Sequence, residues 1–179
     1  MAQQKYIRVD ALGEEKDVIL LIPPLVGHNS VAFRMNLSDE NLISAGFVQS
    51  WVEDGHYLAK CHGKSVTLDV SSKPEDTDIL NGHYFSPGQE QKYVRFEELD
   101  GLSDAIILFP NTVEHAELVQ KMGLDLGCVM TAGFFEVGVD DKNDLKVECY
   151  GHSYSLNIGS DPSDADVLKE QHYDPGSRW

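Results

Sequence analysis

A chain of 179 residues with 41% hydrophobic residues and a net charge of −16 can bury a core, and it is too acidic to attract a nucleic-acid backbone directly. No apolar run approaches the ~20 residues that span a bilayer, so no membrane partner is expected. Three cysteines, an odd number, fit a reducing compartment better than a disulfide scaffold, and the N-terminus lacks a signal-peptide pattern; the expected location is cytoplasmic.

Residues 5–10 read as a short strand and 11–16 as a polar connection. Residues 18–22 are apolar throughout, as in a strand covered on both faces or central in its sheet. A helix is predicted over 26–36. Three strands follow at 43–53, 56–61 and 65–70, with Asp54-Gly55 as the hairpin turn between the first two. Ser72-Lys73-Pro74 opens a short helix whose first turns hold Asp76 and Asp78, where carboxylates favour the helix dipole. Residues 87–91 form a polar linker.

The same order then recurs. Asp17 to His28 is echoed by Asp104 to His115, 87 residues on, and each copy has an apolar run, a proline and a histidine. Between Gln4 and Leu80, with one inserted residue near Asn143, 27 of 77 aligned positions are identical. The second helix is predicted to run from a cap at Asn111 or Thr112 to Met122, and the later strands to cover 130–140, 145–149 and 153–158. The tail after Tyr173 is expected to be loose. The expected fold class is α+β: two tandem duplicated units, 1–87 and 88–179, each β-β-α-β-β-β-α, with a mainly antiparallel sheet and helices on one face. The acid excess is uneven: 1–87 holds seven basic against twelve acidic residues, and 88–179 seven against eighteen.

Alternation assigns faces. Val66, Leu68 and Val70, with Tyr154, Leu156 and Ile158, are expected inside. The parity puts Tyr6, Arg8 and Phe47, and their counterparts Tyr93, Arg95 and Phe134, on the outer face. Such a patch suits an outside partner. It could equally be covered by packing of one half on the other, or relieved by a bulge at Gly46 and Gly133.

His28 and His115 are the candidate reactive groups. Near a helix N-terminus an imidazole is held neutral and can act as a base or bind a ligand; hydrogen bonding to backbone is the structural alternative. Cys61 and Cys149 read as buried thiols. No spacing matches a metal, phosphate-loop or nucleophile-elbow motif, so no metal, cofactor or catalytic residue is assigned. The expected function is non-enzymatic binding of a protein or a small-molecule ligand. The alternatives are a small hydrolase or transferase using His28 and His115, and an acidic decoy that mimics DNA.

Overall fold

The computed structural model describes residues 4–173. Strands β1 (Gln4–Leu12) and β2 (Glu15–Ile22) form a hairpin that turns at Gly13, where φ is +62°. Helix α1 (His28–Arg34) leads to a second hairpin, β3 (Leu42–Glu53) and β4 (His56–His62). Asp54 and Gly55 close it with φ of +51° and +76°, the two left-handed residues a type I′ turn requires. A short ladder, β5 (Lys64–Ser65) and β6 (Val70–Ser71), precedes α2 (Asp76–Leu80), which continues into a π-helical turn over Asn81–Phe85.

The second half follows the same course. It comprises β7 (Gln91–Phe96), the small ladder β8 (Glu98–Leu99) and β9 (Leu102–Ser103), β10 (Ile106–Phe109) and α3 (His115–Lys121). Then come β11 (Val129–Val139), β12 (Leu145–Tyr150), the ladder β13 (His152–Ser153) and β14 (Ile158–Gly159), and α4 (Asp164–Leu168) with its π-helical turn over Lys169–Tyr173.

Eight strands form one antiparallel sheet in the order β12-β11-β7-β10-β2-β1-β3-β4. The order in one half mirrors that in the other, and the halves meet where Leu108 of β10 pairs with Leu21 of β2. Those two strands are central, which accounts for their unbroken apolar sequences. The fold is thus mixed α/β, mostly antiparallel sheet with four short helices. Among the described residues no helix is long and apolar enough to cross a membrane.

The helices are not confined to one face. Ile7, Val9, Leu20, Val94, Phe96 and Ile107 point to the side covered by α1 and α3. Tyr6, Ile19, Leu21, Tyr93, Ile106 and Leu108 point to the other, covered by α2, α4 and their π-helical turns. Both clusters draw on both halves. The sheet is buried on two sides because successive side chains along its central strands are all apolar or hydrogen-bonded.

Several expected elements differ, beginning with residues 11–16, which hold the ends of β1 and β2 around the Gly13 turn and not a connection. Residues 65–70 and 153–158 are not continuous strands: tight turns over 66–69 and 154–157 each join the two short strands of one ladder. The Ser65 and Ser153 hydroxyls accept from the amides of Leu68 and Leu156, while Asp69 and Asn157 take φ of +55°. Val66 and Tyr154, expected inside, are therefore 86% and 91% exposed. Helix α3 starts later than expected, with Glu114 as its N-cap, because Val113 N–H first turns back to the Pro110 carbonyl. The expectation for the tail lies outside the described residues.

Candidate functional site

The Tyr-x-Arg pairs lie under α2 and α4, not on an open face. Asp76, fully buried at the start of α2, accepts from Tyr6 Oη (2.5 Å), Arg8 Nη1 (3.0 Å), Ser44 Oγ (2.9 Å) and the Lys73 amide (2.8 Å). Asp164 at the start of α4 repeats the set with Tyr93 (2.5 Å), Arg95 (2.8 Å), Thr131 (2.9 Å) and the Asp161 amide (2.8 Å). Each arginine also reaches Asp17 or Asp104, at 2.9 Å in both cases, and these aspartates adopt left-handed φ of +54° and +60°. A desolvated carboxylate costs several kcal/mol unless it is paired and hydrogen-bonded, and four donors meet that need.

These clusters overturn the outward-facing patch. Tyr6 and Tyr93 are fully buried, and Arg8 and Arg95 nearly so. Phe47 and Phe134 lie on the opposite face from the tyrosines, because Tyr6 pairs with Gly46 and Tyr93 with Gly133 in the strand register. The irregularity in β3 and β11 comes earlier than Gly46 and Gly133, opposite Arg8/Val9 and between Val129 and Thr131. The glycines serve close approach: a Cβ on either would sit 2.6 Å from a backbone oxygen, of His62 or Tyr150.

His28 and His115 start α1 and α3 and are 4% and 2% exposed. Each ring donates from Nε2 to a strand carbonyl, Gly46 at 2.8 Å and Gly133 at 2.9 Å, and stands edge-on to Phe47 or Phe134. Burial lowers both pKa values, with the accepting Gly46 or Gly133 carbonyl opposing the effect and the adjacent Lys5 or Lys92 adding to it. Lys5 and Lys92 donate to the Val26 and Val113 carbonyls nearby. The geometry lets each imidazole tie a helix start to the sheet. Burial, then the adjacent Asp76 or Asp164, pushes the Cys61 and Cys149 thiols up to about 12, so neither is a thiolate at neutral pH.

In the sequence His172 matches His83 only if the repeat slips by one residue, and no role is assigned to either. His172 is fully buried, donates from Nε2 to the Ile106 carbonyl (2.7 Å) and accepts from the Gln4 amide at Nδ1 (2.7 Å). Burial pulls its pKa down to about 4. Its counterpart is Tyr84, whose hydroxyl donates to the matching Ile19 carbonyl at 2.5 Å. His83 is therefore not its equivalent. The signal was available: the spacing of 88 that aligns Asp76 with Asp164 also aligns Tyr84 with His172.

Several surface grooves remain, two of them beside helices α1 and α2. One, of about 690 Å³, lies where the 87–91 linker passes α2 and is lined by Asp78, His83, Glu90 and Asn111 among others. The other, of about 730 Å³, runs beside α1 and is lined by Asn29, Phe33, Asn36, Leu37, Leu68 and Asp100. Phe33 is 87% exposed, and the equivalent residue on α3 is Gln120. Among the described residues no group of three His, Cys, Asp or Glu is placed to hold a metal ion. Comparison of the chain with protein-family models, curated proteins and solved structures finds no match.

Proposed function

We propose that this is a non-enzymatic, cytoplasmic binding protein made of two homologous α+β units, and that it takes a protein partner in the groove beside α1. Descent of the units from one duplicated segment is supported by the paired Asp76 and Asp164 clusters and the paired histidine bonds. The observation that carries the binding role is Phe33. Its ring is almost wholly exposed beside an apolar wall of Leu37 and Leu68, where the other half has a glutamine. A large exposed apolar side chain in a concave, polar-rimmed site is the usual form of an interaction anchor. Asp100 at the rim, on a chain of net charge −16, favours a basic group beside the partner's apolar side chain.

The hydrolase alternative gains no support from this geometry, since both histidines are buried with Nε2 donating to backbone, and the two grooves are lined by other residues. The test compares proteins captured from native cytosol by wild type, Phe33→Gln and a distant control, Leu58→Lys. The proposal expects a partner lost with Phe33→Gln and kept by the control, with unchanged melting temperature. Equal capture by all three overturns it.

A further inference from the structure

Helix α1 carries a knob and a socket on the same side. Asn29, Ser30 and Phe33 recur at helical spacings of three and four, so they share the side that lines the groove. Leu37, just past the helix, and Leu68, from the turn joining β5 and β6, give the groove its apolar wall. Asp100, from the turn between β8 and β9, stands at the helix start, where its carboxylate accepts from the Gly27 amide at 3.0 Å. Lys5 lies near Asp100 but donates to the Val26 carbonyl instead of pairing with it. At the other end of the helix Arg34 is exposed and, among the described residues, makes no ion pair.

Helix α3 keeps none of this pattern. Gln120 stands for Phe33, Glu117 for Ser30 and Gly13 for Asp100. The Glu117 carboxylate lies against Gly13, in the place a Cβ there would take. The exposed ring, the small residue beside it and the carboxylate at the helix start therefore belong to the first half alone.

We infer that the groove is filled by α1 of a second copy, the two helices lying antiparallel about a two-fold axis beside Ser30 and Phe33. The inference rests on the reading of the groove as a protein site and names its occupant. That reading asks for an apolar side chain with a basic group next to it, and Phe33 followed by Arg34 supplies both. A two-fold interface must be self-complementary, and this surface holds the ring and the groove that receives it. Antiparallel packing brings the Arg34 end of each helix to the Asp100 end of the other, so the opposite charges meet twice. Phe33 lies over the small Ser30 of its mate, with Leu37 and Leu68 around it. One short helix from each copy makes a small contact, so the dimer is reversible. The net charge of each copy opposes association at low ionic strength, and moderate salt strengthens the dimer.

Sedimentation velocity of the full chain, from micromolar to near-millimolar concentrations in moderate salt, tests this, with circular dichroism as the check on folding. Wild type is expected to reach a dimer. Phe33→Gln copies the residue of the second half at an exposed position and should weaken the dimer at least about a hundredfold. Leu58→Lys, away from α1, should leave it unchanged. Arg34→Glu and Asp100→Lys should each weaken it at least about tenfold, because like charges then meet at both ends of the contact. Mixed in equal amounts, those two variants should associate to within about threefold of wild-type strength, because each then meets the opposite charge at both ends. A variant that had merely lost its fold is not rescued by mixing. A wild type that stays monomeric throughout, a dimer indifferent to Phe33→Gln, or a mixture no stronger than its components overturns the inference. If the wild type is monomeric and Phe33→Gln still abolishes capture of another protein, the groove reading stands and only this occupant is lost.

Discussion

The Asn81 side chain grips Ala59 from both sides of its peptide unit, accepting from the amide and donating to the carbonyl. The same amide also donates to the Thr77 carbonyl within its own helical segment, which fixes its orientation. A single residue therefore seals an edge strand and anchors α2 to it. Asn81→Ala should cost about 1–2 kcal/mol, as three part-buried bonds are exchanged for water. In a protein of this size that lowers the melting temperature by roughly 2–8 °C. Scanning calorimetry reads it directly, and an unchanged melting temperature would show that the grip carries no stability.

The Asp76 and Asp164 clusters make a stronger statement. Arg8→Ala leaves Asp76 buried without its cation, and Arg95→Ala does the same to Asp164. Loss of one partner of a buried pair costs roughly 3–5 kcal/mol. Urea unfolding should show losses of that order in both variants. A loss below about 1 kcal/mol is typical of surface pairs and would mean that water reaches the carboxylate.

Histidine burial sets a pH dependence. The pKa of His172 is about 4 in the fold, below the 6.5 of a free imidazole, so the unfolded chain binds its proton first. Its neutral-form contribution is complete above pH 6.5 and is lost as the pH falls toward 4, by about 2 kcal/mol between pH 7 and pH 5. Burial lowers His28, His83 and His115 as well, which gives the same sign. The difference between wild type and His172→Gln isolates the one residue from the carboxylates. The stability of the variant should fall less steeply over that window, and parallel profiles would contradict the assignment.

The central strands, the Asp54-Gly55 hairpin and the recurring order of elements along the chain were legible because apolar runs and turn residues are local signals, whereas the mirrored strand order was not. What covers each face was not. Alternation showed that Tyr6 and Arg8 share a side, but not that a five-residue helix carrying Asp76 lies across them, since that contact joins residues about 70 apart. The apolar-polar rhythm of residues 65–70 imitated a strand, while the Ser65 hydroxyl and the left-handed Asp69 made a turn. Phe47 was placed with the tyrosines because the sheet was read as having one buried face, and it has two. The role of His172 was not legible because its two partners, Gln4 and the Ile106 carbonyl, come from the other half and from another strand.

The halves thus repeat their interior and differ at their margins, with Asn81 and Thr77 bonding the outward amides of one edge strand and, among the described residues, Lys169 and Ala165 making no such bond to Val147 or Cys149 at the other. Amide hydrogen exchange, followed residue by residue in dilute solution, measures that difference most directly. The amides of Ala59 and Cys61 should be protected and those of Val147 and Cys149 should exchange faster. Equal exchange at both edges would contradict it.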